Sequence, residues 1–294
     1  GFLDEGLTGV IEMASVTGLH AESVPSGTPM NRTSFGVGQL LAIASRTCEE
    51  VIIAMGGTST VDGGTGILQA MGARFLDSIG QPLEDFMTGR NLGKIGSIEL
   101  PRQLPRIRLA VDVDSPLLGE HGAARMFGPQ KGADAGMVDQ LEAGLQHLAE
   151  LLDPDGSRRV IPGAGAAGGA AFGLHAAAEA VMMSGAEWVL ETLSFDQHLQ
   201  EHDWLLVGEG RLDGQSWHGK AAMTAARHGQ LAGLKVGCLC GQTGEGWEQM
   251  LRQQGGPLDA VWSLTDTHDL QQCLEDPARC LKEATIGIVR SISD

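Results

Sequence analysis

With 294 residues, 42% of them hydrophobic, the chain is long enough for one large or two ordinary domains and a sizeable core. A formal net charge of −17 argues against nucleic acid and anionic membrane surfaces as partners, and no apolar run approaches the roughly 18–20 residues of a membrane span. Five cysteines without zinc-finger spacing, and no secretory h-region at the start, lead us to expect a reduced, cytoplasmic compartment.

In chain order, residues 10–14 read as a strand, followed by a loop rich in Pro, Ser and Gly over 23–29. Val37, Leu40, Leu41 and Ala44 recur at helical spacing over 37–45, with Thr33 or Ser34 as an N-cap or a ligand contact. The apolar run 51–55 reads as a buried strand. It leads into Gly56-Gly57-Thr58-Ser59-Thr60-Val61-Asp62-Gly63-Gly64 and then a helix over 65–71. Such a loop presents backbone N–H groups beside a helix start whose dipole favours anions. Its three hydroxyls and one carboxylate suit a phosphate with a metal ion; they also suit a tight structural turn.

Residues 73–77 read as a strand and 81–105 as loops with short elements. A strand over 107–114 carries Asp112 and Asp114 at its C-terminal end, before Ser115 and Pro116. Lys131 is a lone cation among glycines, either a solvated surface lysine or a phosphate contact. Val138, Leu141, Leu145, Leu148, Leu151 and Leu152 share one side of a helix over 137–152. Residues 162–171, with Gly163, Gly165, Gly168 and Gly169, read as a low-bulk loop feeding an Ala-rich helix over 172–183. Its small residues serve close backbone packing or a ligand.

A strand over 203–207 is expected to end in a loop containing Gly208, Glu209, Gly210, Arg211, Asp213 and Gln215. His218, Gly219 and Lys220 then precede a helix over 221–230. Further elements are a strand over 234–240, in which Cys238 and Cys240 are buried core thiols, a helix over 247–254, a strand over 258–262 and a helix over 277–292. This alternation implies βαβ units, a mainly parallel sheet, and ligands beyond the carboxyl ends of strands. The fold class expected is therefore α/β, in two lobes.

Neither a Walker A motif, nor H-E-x-x-H, nor G-x-S-x-G is present. The inventory of Gly-rich loops, acids and isolated cations suits phosphoryl transfer, in which the protein mostly positions groups and stabilises spread negative charge. Asp62 and Asp213 are candidates for the base or for Mg²⁺, Asp112 and Asp114 for Mg²⁺, and Arg211, Lys131 and Lys220 for anion contacts.

Residues 56–64, continued by Leu68-Gln69-Ala70-Met71-Gly72-Ala73-Arg74-Phe75, resemble the G-G-S-A-T-N-D-G-G-x-G-x-L-Q-A-L-G-A-R-F segment of the glycerate kinase type 1 family. Further matches follow in family order: Glu12-Met13-Ala14-Ser15, Thr33-Ser34-Phe35-Gly36, Asp112-Val113-Asp114, Phe127-Gly128-Pro129-Gln130-Lys131-Gly132, residues 162–169, and Gly208-Glu209-Gly210-Arg211-Leu212-Asp213. The resemblance implies two α/β lobes, one Rossmann-like, with the active site in a cleft between them. Approximate boundaries are 1–72 with 195–294 for the Rossmann-like lobe and 73–194 for the second. It implies ATP with Mg²⁺ and D-glycerate phosphorylated to 2-phosphoglycerate, and it would place Gly56, Gly57, Thr58, Ser59, Thr60, Gly63, Gly64, Gly165, Gly168, Gly208, Glu209, Gly210 and Gln215 along the substrate or phosphates.

Departures from the family pattern are Arg32 and Thr58 at positions usually Thr and Ser, and Val61 and Ser115 at positions usually Asn. The family's opening D-S-F-K-G and A-D-G-G-E-G-T motifs do not occur in these residues, so a truncated or processed N-terminus is expected. Two alternatives stay open: a non-catalytic relative binding a nucleotide or small organic acid, and a kinase of another small hydroxy acid.

Overall fold

A computed structural model describes residues 1–19, 27–217 and 221–293. The chain divides into two compact units, Gly1–Gly185 and Ala186–Asp294. No helix among the described residues is long and apolar enough to cross a membrane.

The first unit holds strands β1 (Phe2–Leu3), β2 (Thr8–Glu12), β3 (Glu50–Ala54), β4 (Arg74–Leu76), β5 (Ser97–Glu99), β6 (Arg106–Val111) and β7 (Val181–Ser184). Its helices are α1 (Ala14–Thr17), α2 (Phe35–Ala44), α3 (Thr65–Ala70), α4 (Ala123–Phe127), α5 (Ala135–Leu152) and α6 (Ala166–Ala178). Five strands form one sheet in the order β1-β2-β3-β6-β7, parallel except for β1 at one edge. Consecutive residues Val51, Ile52 and Ile53 are all buried, as a central parallel strand covered on both faces requires. On α5, Val138, Leu141, Leu145 and Leu148 are buried, each contributing about 1.5–3 kcal/mol of burial; Asp134 caps the helix by accepting from the Met137 N–H at 2.8 Å.

Several elements depart from the sequence reading. A lobe boundary at 72/73 was expected, yet β3 and β6 lie on opposite sides of it as neighbouring strands, with Ile53 paired to Leu109; the unit boundary falls at 185/186. The expected helix over 172–183 begins earlier and ends at Ala178, where Glu179 turns into the left-handed region (φ 52°). Val181–Ser184 then pairs with β6 as an edge strand, a role its Ala-rich approach concealed. Strand β6 stops at Val111, leaving Asp112 and Asp114 in the following loop.

The second unit contains α7 (Gly185–Thr192, entering it at Ala186), α8 (Phe195–Leu199), β8 (Trp204–Leu212), α9 (Ala221–Leu231), β9 (Lys235–Thr243), β10 (Ala260–Ser263), α10 (Leu270–Glu275) and α11 (Pro277–Ser293). Its three strands are parallel in the order β10-β9-β8. The expected helix over 247–254 is instead two short 3-10 turns, interrupted where Leu251 is extended. Cys238 and Cys240 are buried in the core as expected, and burial pushes the Cys238 thiol up to about 12.

Candidate active site

The glycine-rich loop after β3 changes character along its length. Gly56 and Gly57 are exposed, whereas every residue from Thr58 to Gly64 is buried. Ser59 is consumed by the fold: its N–H and hydroxyl both donate to the Thr17 carbonyl, at 2.7 and 2.9 Å. Gly63 donates to the Gly168 carbonyl at 3.1 Å, which binds the loop to α6.

Side-chain volume is excluded where these backbones meet. A Cβ on Gly168 would overlap the Thr60 carbonyl, and one on Gly173 would overlap the Gly63 carbonyl. Gly165 is pressed in the same way against Pro116. The low-bulk stretch therefore serves close packing. It also contains three successive left-handed residues, Ala167 (φ 52°), Gly168 (φ 68°) and Gly169 (φ 82°). Ala167 holds that conformation without a glycine's freedom, and such local strain concentrates at ligand sites.

Asp62 does not point toward solvent, contrary to its expected role as base or metal ligand. Its carboxylate is fully buried and accepts from the Ser34 N–H and the Ser34 hydroxyl, both at 2.7 Å on Oδ2, and from the Gly64 N–H at 3.1 Å on Oδ1. Burial pushes its carboxyl upward, while the bonds from Ser34, Gly64 and Gly66 pull it back. Ser34 also accepts from the Ile67 N–H at 3.1 Å, tying the start of α2 to α3. Its hydroxyl makes no cap bond, so the expected N-cap is a clamp on Asp62 instead. Nothing local in the sequence distinguishes the two roles, because the partner lies 28 residues away.

Lys131 is the cation of this loop. Pro129 and Gly132 bracket a 3-10 turn that carries it inward, and it is only 6% exposed. Its ammonium donates to Thr58 Oγ1 at 3.2 Å and to the Thr60 carbonyl at 2.9 Å. Burial lowers its pKa to about 8, against an opposing pull from Asp62. Lys131 lines a cavity of about 130 Å³ with Gly56, Gly57, Thr58 and Gln130, walled by Leu19, Met55, Val113, Phe127, Ala166 and Ala167. Among the described residues the buried Thr60 and Ser115 hydroxyls have no hydrogen-bond partner.

Asp112 and Asp114 are exposed beyond the carboxyl end of β6, and a Cβ on Gly185 would lie 2.8 Å from Asp112 Oδ2. Among the described residues no group of three or more His, Cys, Asp or Glu side chains is arranged to hold a metal. Two oxygen donors nonetheless suit Mg²⁺, which binds one or two carboxylates together with substrate phosphates.

In the second unit, the segment expected as a loop is strand: Gly208 pairs with Leu239, Glu209 with Cys240 and Arg211 with Gln242. Parallel pairing with β9 holds this glycine-containing run extended as far as Leu212. At its carboxyl end Arg211 Nε lies 3.2 Å from Asp213 Oδ2, with Arg211 59% exposed. Gly214 continues into a 3-10 turn, Gly214–Trp217, that includes Gln215. Lys220 lies outside the described residues.

The Glycerate kinase family profile matches residues 1–293. The chain belongs to this family. It is 37% identical over 288 residues to a glycerate kinase of Halalkalibacterium halodurans, covering 95% of this chain and 74% of that protein. It is 36% identical to the glycerate 2-kinase of Escherichia coli, covering 90% of this chain and 70% of that one. The crystal structure of a putative glycerate kinase 2 from Salmonella typhimurium LT2 is similar with a TM-score of 0.70 at 34% identity, covering 90% of this chain and 69% of that one. Family membership agrees with the resemblance carried by the motifs, and the glycine loop with its buried Lys131 lines a cavity of the first unit.

Proposed function

We propose that this chain phosphorylates glycerate with ATP, converting D-glycerate to 2-phosphoglycerate. The observation that carries the reading is a buried lysine opening onto the cavity of a glycine-rich loop, in a chain of the glycerate kinase family. Phosphoryl transfer asks the protein to position two anions and to stabilise the charge passing between them. A substrate hydroxyl oxygen forms a bond to the γ-phosphorus as the bond from that phosphorus to the bridging oxygen breaks. ADP leaves, and the hydroxyl proton passes to a base.

In this reading Gly56, Gly57, Thr58 and Lys131 bind an anionic group. Asp213 takes the hydroxyl proton, and Arg211, which it orients at 3.2 Å, stabilises charge on the transferring oxygens. Gly208, Glu209, Gly210 and Gln215 support that segment, and Lys220 is a further anion contact. Asp112 and Asp114 would hold Mg²⁺, which when bound neutralises phosphate charge. Asp62 has a positioning role: its buried charge favours the charged form of Lys131, and its bonds to Ser34 and Gly64 fix the loop. Ser59, Thr60, Gly63, Gly64, Gly165 and Gly168 shape the loop.

The test is ADP release by the purified chain, coupled to NADH oxidation, with D-glycerate, L-glycerate, lactate and glycerol as acceptors. Turnover with D-glycerate above the other three is expected. Equal rates with all four, at the level of the acceptor-free blank, would overturn the proposal.

A further inference from the structure

We infer that the Lys131 cavity receives the carboxylate of the hydroxy-acid substrate rather than a nucleotide phosphate; this deepens the glycerate kinase reading and rests on it. Size is the first argument. A cavity of about 130 Å³ is less than half the low end of the roughly 300–1,000 Å³ of drug-sized ligand and cofactor sites, and suits a three-carbon acid.

Charge is the second. Among the described residues the buried ammonium has two hydrogen-bond partners, both uncharged oxygens, and an ammonium has a third N–H to give. Among the described residues Asp62 is the charge that acts on this ammonium, and it does so without a direct bond, so a bound carboxylate supplies a direct ion pair that the empty site does not hold. A polyphosphate brings several charges, more than the one lysine among the described residues lining this cavity balances. The walls are the third argument. Leu19, Met55, Val113 and Phe127 present apolar surface that suits a short carbon skeleton.

Two consequences separate this placement from a general anion site. Acids are selected over polyols of the same length, because glycerol would leave the lysine unpaired. Anion binding also favours the charged lysine. Above pH 8, where burial has begun to discharge Lys131, carboxylate binding draws a proton from solution. Asp62 is the charged group acting on that equilibrium in the empty site.

The experiment compares wild type with Lys131→Met and Thr58→Val. In turnover, Lys131→Met is expected to raise KM for D-glycerate about 100-fold or more and KM for ATP less than about threefold. Thr58→Val, which only removes an acceptor from the ammonium, raises the glycerate KM several-fold and serves if Lys131→Met does not fold. A rise confined to the ATP KM would overturn the inference.

Calorimetry without ATP, at pH 8.5 in buffers of different ionisation enthalpy, decides the matter independently of turnover. D-glycerate and lactate should bind with proton uptake that is lost in Lys131→Met, and glycerol should not bind. Carboxylate binding of this kind without turnover would sink the kinase reading and leave the site standing. Turnover with glycerate affinity indifferent to Lys131 would do the reverse.

Discussion

Replacing Lys131 by methionine should make the protein more stable while it loses its function. The native pKa of this lysine is about 8 against an ordinary 10.5, a depression of about 2.5 units. At about 1.36 kcal/mol per unit, burial of the charged ammonium penalises the native state by about 3 kcal/mol at pH 7, below both values. Methionine removes that penalty and keeps most of the packing volume. It also leaves the Thr60 carbonyl without its donor, a loss of about 1–3 kcal/mol. The net expectation is a variant between equal stability and about 2 kcal/mol more stable at pH 7.

The pH dependence carries the sharper signature. Between pH 8 and 10.5 the unfolded wild type still binds the proton that the native state has released. Wild-type stability from this group therefore rises with pH through that window, and the variant lacks the rise. Urea unfolding of both proteins at pH 7 and pH 9.5 measures this. A variant clearly less stable than wild type at pH 7, with the same change between the two pH values, would show that burial does not strain the Lys131 charge. Stabilisation coupled to lost activity is the pattern expected where a charge is buried for a substrate.

Three further outcomes follow from the same structure. Ser34→Ala removes the hydroxyl that donates to Asp62 and accepts from Ile67; it should destabilise by about 2 kcal/mol in urea unfolding, with no loss expected only if the Asp62 contact is idle. Gly173→Ala drives a methyl group into the Gly63 carbonyl and should lower stability by about 1–3 kcal/mol and reduce turnover, whereas unchanged values would contradict the close approach of α6 and the loop. His228 on α9 bonds Asp196 at 2.6 Å and Glu187 at 2.8 Å; burial alone would lower its pKa, but these carboxylates raise it overall. Its contribution is full below the ordinary value of 6.5 and lost as pH rises through the raised one, so Tm measured across pH 5.5–8.5 should flatten in His228→Gln, and parallel wild-type and variant curves would show the bridge to be inert.

Local pattern was enough for the elements that bury an unbroken or periodic apolar face. The β3 run Val51-Ile52-Ile53 and the α5 stripe from Val138 to Leu148 are legible because burial itself dictates their composition. Arg211 and its glycines were not read as strand. Parallel pairing to β9 is a property of a partner segment about 30 residues away, and it overrides the turn preference of glycine. The site divided in the same way. Motif order pointed to the family and to the glycine loop, but the direction in which each side chain faces is tertiary information. Lys131 read as either a surface lysine or a phosphate contact and is buried; Asp62 read as a base or a Mg²⁺ ligand and is sealed by Ser34. A charge among glycines reads identically in sequence whether it meets water or the interior.

On this reading the chain transfers the γ-phosphoryl group of ATP to glycerate. The most direct measurement is ³¹P NMR of the purified chain with ATP, Mg²⁺ and D-glycerate. ADP and a new phosphomonoester signal are expected to grow in step, the ester signal coupled to a single proton as an ester of the 2-hydroxyl must be. ADP formed no faster with glycerate than without it, from protein whose circular dichroism shows the folded α/β chain, would exclude glycerate as the acceptor.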